Sequence, residues 1–456
     1  MSAEYDLRIE SGTVVTGSGS RRANVYVKDG RIAMVGSEWQ PARERFDASD
    51  LLVMPGMVDA HVHFMDPGST EREDFPSGSA AAARAGVTSV VEHTHGAPVR
   101  TVGDLERKIA HLSSRSRIDF ALAAHAWPGQ AEEVADLWAA GVSFIKAFTC
   151  TTHGIPGHGA EDLQTLFRAV ARAQAICLVH GEDEQLTASA EHRLRQSGRT
   201  DGGVVAEWRN LNAELVAAAR TATLAAGTGA RVVVAHASHQ RVVQALERVR
   251  RAGGRNLWIE TCPQYLTLLE EEVLTEGPFR KFTPPARASR PEDLGEMWSL
   301  VADGRVDYVA SDHAPSTRAQ KLEGSIWDVH FGLPGIDTTL CILLDAAHQG
   351  RLTYEKVVEL YSEAPASIYG LSPRKGRLLP GADADVVLVD PEERWSVTDG
   401  EILSKARWSP FSGRVLIGRP VRTYLRGAVV MEQGRVAAEP GRGHFLPGPG
   451  AGVRDH

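Results

Sequence analysis

The sequence predicts an α/β protein, a (β/α)₈ barrel carrying a small β-sandwich built from both chain ends. Three observations predict it. Eight short apolar runs alternate with amphipathic stretches through the middle of the chain. Period-two alternation is confined to the first and last portions. Glycine-rich turns separate the runs at both ends. Strands that alternate with helices pair in parallel, and eight such units are the number that closes a barrel.

At the start, Leu7-Arg8-Ile9, Thr13-Val14-Val15, Asn24 to Val27 and Arg31 to Val35 alternate as half-buried antiparallel strands do. The same texture returns after Pro380, in Asp385 to Val389, Val415 to Ile417, Val421 to Leu425 and Ala428 to Val430. Residues 1–55 and 375–440 are therefore assigned to one sandwich and residues 56–374 to the barrel. The barrel runs are Leu52 to Val62, Val87 to Glu92, Phe120 to His125, Val142 to Phe148, Ala175 to His180, Val232 to His236, Leu257 to Thr261 and Val306 to Ser311. Between them, Val102 to Leu112, Glu132 to Ala140, Asp162 to Ala173 and Arg241 to Arg251 read as amphipathic helices. The Pro/Gly-rich tail, residues 441–456, reads as a disordered end or a strap over a neighbouring surface. No internal repeat is visible.

Composition narrows the function classes. Fifty Lys and Arg against 58 Asp and Glu leave a net charge of −8, and the basic residues form no block. That excludes nucleic acid and anionic membrane as partners. No apolar run approaches the ~20 residues that span a bilayer. The N-terminal stretch lacks the charged and apolar regions of a secretory signal. The four cysteines, Cys150, Cys177, Cys262 and Cys341, lack metal or disulfide spacing and read as reduced thiols. A cytoplasmic location is the expectation.

Chemistry gathers at the strand ends. His61 and His63 close the first run, Lys146 the fourth, His180 the fifth, His236 the sixth and Asp312 the eighth. Residues i and i+2 of a strand share a face, so His61 and His63 can address one ion. Singly, each has a plainer reading. A strand-end histidine is usually a hydrogen-bonded core group, an aspartate there caps a helix, and a lysine reaches to water. Six such groups on one barrel rim point instead to a metal centre. Two divalent ions fit the set, Zn²⁺ first, with Mn²⁺, Fe²⁺ and Co²⁺ also compatible. A plain ammonium is a poor neighbour for cations. A lysine that has reacted with CO₂ is a carbamate whose two oxygens can bridge two ions, and burial favours the neutral amine that this reaction needs.

The stretch Pro55 to Phe64 (PGMVDAHVHF) resembles the opening signature of the cyclic amidohydrolases, the allantoinases, dihydroorotases, hydantoinases and dihydropyrimidinases. The likeness continues in order through Asp66 to Asp74, Lys146-Ala147-Phe148, His180-Gly181-Glu182, His236-Ala237-Ser238, Glu260 to Leu266, Pro284 to Arg287, Ser311 to Pro315 and Gly381 to Asp385. It implies that His61, His63 and Asp312 hold the more buried ion and His180 and His236 the other, with carboxylated Lys146 between them. A bridging hydroxide would attack the ring carbonyl, and Asp312 would pass its proton to the leaving nitrogen. The resemblance also implies a homotetramer.

Departures from the subfamilies bear on the ring. Where dihydroorotases carry a carboxylate-gripping Arg, this chain has Met65. The Tyr that hydantoinases place after the lysine is absent from Phe148 to Gly154. The pattern is nearest to allantoinase, with Gln264 in place of a usual His, and His93 and His95 in place of a Pro/Asn-like pair. His93 and His95 read as polar rim residues. In the alternative reading one of them contacts the ring, and His95 is the candidate. By analogy Thr283, Gly332 and Leu333 contact the substrate through loops. The expected substrate is a small cyclic ureide or imide of five or six members, with allantoin-like ring opening first. Hydantoinase- or dihydropyrimidinase-type or imidase-type ring opening is the alternative, followed by a non-catalytic dihydroorotase-like scaffold and an exocyclic amidase on the same fold.

Overall fold

The computed structural model describes residues 5–452. Nine parallel strand pieces run through the middle of the chain, and two of them, Asp119–Leu122 and Ala124–His125, are successive halves of one strand. The result is eight barrel strands. These are β1 (Met57–Val62), β2 (Val87–Glu92), β3 (residues 119–125), β4 (Ile145–Phe148), β5 (Ile176–His180), β6 (Arg231–Val234), β7 (Leu257–Thr261) and β8 (Tyr308–Val309). Neighbours pair in sequence order. The ring closes where the His63 N–H donates to the His313 carbonyl (2.8 Å), and β3 joins β4 through Ser143 N–H to Leu122 O (2.9 Å). Nearly every residue of these strands is buried, as expected for a sheet covered by helices outside and packed side chains inside.

The first apolar run, read above as one strand, breaks at Gly56. Leu52–Pro55 joins the appended sheet, while Met57–Val62 enters the barrel. A Cβ at Gly56 would lie 2.2 Å from Thr88 Oγ1, so only glycine lets the chain cross β2 that closely. Apolarity alone cannot register such a crossing, because both halves are equally buried.

Both chain ends build a single nine-stranded sheet. Leu52–Pro55 pairs in parallel with the N-terminal strand Tyr5–Thr16 and antiparallel with Val386–Ser396. The sheet folds over its own core, since Ile9, Val25, Ile32, Val386 and Tyr424, from strands far apart in its order, share one buried cluster. The tail runs under the barrel as a strap. Phe120 N–H donates to His444 O (3.0 Å), Leu446 N–H to Phe120 O (2.7 Å) and Gly448 N–H to Gly141 O (2.8 Å), and Leu446 enters the main core. Among the described residues no helix is long and apolar enough to cross a membrane.

At the base of the barrel, Asp119 begins β3 and faces Lys375. The Lys375 ammonium also meets Asp385 (2.7 Å) and Asp383 (2.9 Å), and Arg426 pairs with Asp119. This ionic node ties strand, appended sheet and tail together, since the His444 N–H also reaches Asp119 (2.8 Å).

Candidate metal centre at the carboxyl rim

All six rim residues line one cavity at the carboxyl ends of the strands. The local backbone explains how they converge. His61 lies within β1 and His63 just beyond it, Lys146 sits in β4 and His180 ends β5. His236 and Asp312 lie past the ends of β6 and β8 with φ of 40° and 48°. The left-handed region is costly for residues with a Cβ and is retained where surrounding structure enforces it, often at functional sites.

The hydrogen bonds fix which ring nitrogens are free. His61 Nδ1 donates to Glu260 Oε1 (2.7 Å) and His63 Nδ1 to the His93 carbonyl (3.0 Å), because a carboxylate and a carbonyl can only accept. In the neutral rings the lone pairs are then on Nε2. Both Nε2 atoms face Asp312 Oδ1, at 3.3 and 3.4 Å. A second set repeats the logic. His180 Nε2 donates to Glu182 Oε2 (3.0 Å), leaving its Nδ1 lone pair opposite His236 Nε2 at 2.9 Å. The other nitrogen of His236 has no partner. Burial, then the charge of neighbouring groups, holds His63 and His236 well below the usual imidazole range, so they stay unprotonated. In the first set the two lone pairs and the carboxylate oxygen repel unless a proton or cation lies between them, and in the second a proton or a cation can bridge the 2.9 Å between the rings. The donor set therefore fits divalent metal.

Lys146 is buried between the two sets, with its amine pushed down to about 8 by burial, against the pull of Glu260 and Asp312. Glu260 and Glu182 orient the rings, a role the sequence reading did not assign them. Glu260 also accepts from Tyr308 Oη (2.5 Å) and the His236 N–H (2.9 Å). Burial raises the Glu182 carboxyl, but Arg209, His180 and Arg287 outweigh it and hold it at about 2. Its position two residues after a strand-end histidine was the available signal.

The remaining cavity wall is largely aromatic: His95, Phe148, His153, Phe282 and Phe331, with Thr283, Ala314 and Gly332. Thr283 Oγ1 donates to Glu182 (2.5 Å). Gly332, at φ 120°, lies where a Cβ would meet Ala314 O at 2.2 Å. Leu333 does not line the cavity. Its side chain is in the core, and its carbonyl accepts from Ala314 N–H (2.9 Å). His93 is no rim residue either, being almost fully buried behind His61 and His63. Sequence reasoning missed His153, seven residues beyond Lys146, which stacks on His95 at 4.4 Å. Met65 is buried against Thr94 and outside the cavity.

Comparison with known proteins agrees with the barrel architecture. The amidohydrolase family profile matches residues 52–410. An allantoinase of Rubrobacter xylanophilus is 37% identical over 453 residues, covering 98% of each chain. A dihydroorotase of Halobacterium salinarum is 36% identical over 398 residues, 86% of this chain and 90% of that one. The solved L-hydantoinase (dihydropyrimidinase) of Arthrobacter aurescens superposes with a TM-score of 0.92 at 29% identity, over 97% of this chain and all of that one. The chain belongs to the amidohydrolase family. Within it, the chain is an enzyme of the cyclic amide hydrolase class.

Proposed function

We propose that the protein opens a five- or six-membered cyclic ureide or imide by hydrolysing a ring C–N bond, in the manner of an allantoinase. The observation that carries this reading is the convergence of four buried imidazoles, Asp312 and a buried lysine on one cavity. His61, His63 and Asp312 would hold one divalent ion and His180 and His236 the other. Lys146, carboxylated by CO₂, would supply an oxygen to each. Zn²⁺ suits the imidazole-rich set best, with Mn²⁺, Fe²⁺ or Co²⁺ as substitutes. The ions' contribution is to make water nucleophilic near neutral pH and to polarise the ring carbonyl.

The chain's own groups do the rest. Asp312 is the most exposed of the six, its side chain 17% accessible, and it stands at the cavity. It takes the proton of the attacking water and delivers it to the leaving nitrogen. Glu260 and Glu182 keep each histidine in one tautomer. His95, Thr283 and Gly332 border the ring, and the aromatic wall keeps bulk water from it. We further take the enzyme to act as a homotetramer, from the resemblance, in a reducing compartment that suits its four free buried cysteines.

A hydantoin with a flat apolar substituent is the second reading. The stacked His95–His153 pair with Phe148 and Phe331 favours it over the polar side chain of allantoin. Dihydroorotate finds no cation at Met65. The deciding experiment is a substrate panel of allantoin, hydantoin, 5-phenylhydantoin, dihydrouracil, dihydroorotate, succinimide and phthalimide. Turnover of allantoin ahead of the rest supports the first reading, and strong preference for dihydroorotate overturns the argument from Met65.

A further inference from the structure

His93 follows the last residue of β2, packs against the rings of His61 and His63, and does not line the cavity. Its backbone is fully used, since its carbonyl accepts from His63 Nδ1 (3.0 Å) and meets His125 Nε2 (3.2 Å). Its ring is not. Both nitrogens are buried, and neither has a hydrogen-bond partner among the described residues. A neutral imidazole carries one donor and one acceptor, and buried polar atoms are nearly always satisfied. Phe144, 5.2 Å away in an edge-to-face arrangement, offers no more than a weak N–H···π contact to one nitrogen. On the other side the ring lies 4.6 Å from that of His61 and 4.4 Å from that of His63. One nitrogen from each of the three rings falls within 4.8 Å of the others.

Resting on the two-metal reading above, we propose that His93 is a third imidazole donor to the ion held by His61 and His63. The chemistry is consistent on three counts. The residue is buried where an isolated polar ring has no other reason to be. The two neighbouring rings each bring a nitrogen within 4.8 Å of one of its own. A third imidazole also shifts the site from a mixed nitrogen–carboxylate set toward a nitrogen-rich one, which favours Zn²⁺, Co²⁺ or Fe²⁺ over Mn²⁺. With three nitrogens holding the ion, Asp312 is needed less as an anchor and is freer to move a proton.

The test uses the full-length protein, purified with its metals and dialysed against graded chelator, with metal content read by mass spectrometry. The wild type is expected to retain two ions per chain. His93→Leu is expected to lose one of them at a chelator concentration at least tenfold lower while keeping the other. In a parallel experiment His93→Cys is loaded with Co²⁺. A thiolate ligand to cobalt absorbs in the near ultraviolet, and such a band, absent from the cobalt-loaded wild type, places position 93 in the coordination sphere. A role in packing alone cannot produce it. Retention of both ions by His93→Leu as tightly as by the wild type, or a His93→Cys spectrum with no new band, overturns the role of His93 alone. A wild type that holds no ion overturns this proposal together with the reading on which it rests.

Discussion

Lys146 and Lys375 are both 1% exposed, yet their surroundings are opposite. At the rim, burial dominates and pushes the Lys146 amine down to about 8. At the base, burial also opposes the charge, but Asp385, Asp119 and Asp383 outweigh it and raise Lys375 above the ordinary lysine value of 10.5. One site is left short of partners and the other is given several. A buried lysine held near neutrality can react with CO₂. A buried lysine with three carboxylates is a tie. The unsatisfied nitrogens of His93, His95, His125 and His236 gather around the first lysine. The second binds three parts of the fold together.

If that contrast is right, substitutions at the two lysines fail differently. Lys146→Ala and Asp312→Asn should each lower kcat/KM by roughly 10²–10⁴-fold. Thermal unfolding should change little, and a short carboxylic acid should restore part of the activity of Lys146→Ala. Full activity in Lys146→Ala without such an acid, or active protein free of metal, breaks the rim half of the comparison. Lys375→Met should cost about 3–5 kcal/mol in denaturant unfolding, because it strands buried carboxylates, while the folded fraction keeps its kcat. A loss of kcat in proportion to its loss of stability would merge the two regions.

Glu182→Gln should weaken metal retention about 10–100-fold by loosening the His180 tautomer, measured by chelator titration. The raised Lys375 adds stability that is present below the ordinary lysine value of 10.5 and lost as pH rises through its higher folded value. Stability measured as pH rises from 10.5 towards that folded value should therefore fall more steeply in the wild type than in Lys375→Met. The smallest effect is expected at His153→Ala, where losing a stacking face of about 0.5–1.5 kcal/mol should raise KM for aryl-substituted rings several-fold and leave hydantoin itself unaffected. An equal rise for both would remove the aromatic wall from substrate choice.

Much of this was legible beforehand, because the signals were strong and local. Apolar runs of strand length between amphipathic helices specify a parallel barrel, and a barrel puts strand-end residues on one rim. That is why His61, His63, Lys146, His180, His236 and Asp312 could be brought together from their spacing. What stayed hidden depends on backbone detail. Nothing in the run Leu52 to Val62 announces that Gly56 must pass β2 at contact distance. Leu333 and Gly332 look alike as loop neighbours, yet only the glycine faces the cavity, because Leu333 turns into the core. Glu260 and Glu182 lie in ordinary polar positions until the fold brings each against a ring. His93 looked like a surface histidine because a strand end gives no clue to how deep its next residue lies.

The appended sheet carries a consequence for the order of assembly. Its strand Leu52–Pro55 finds partners in Tyr5–Thr16 and in Val386–Val389, which are separated by the whole barrel. On a ribosome the first strands emerge long before the later ones exist. They can pair with one another, but the second edge of Leu52–Pro55 must wait open, and pairing across so long a loop is slow. Only when the barrel has closed are the two halves held near each other. In that sense the barrel serves as the template on which the sheet is completed. A variant that slows barrel closure should therefore show itself first as aggregation through the open edge of Leu52–Pro55, well before any defect in the rim is measurable.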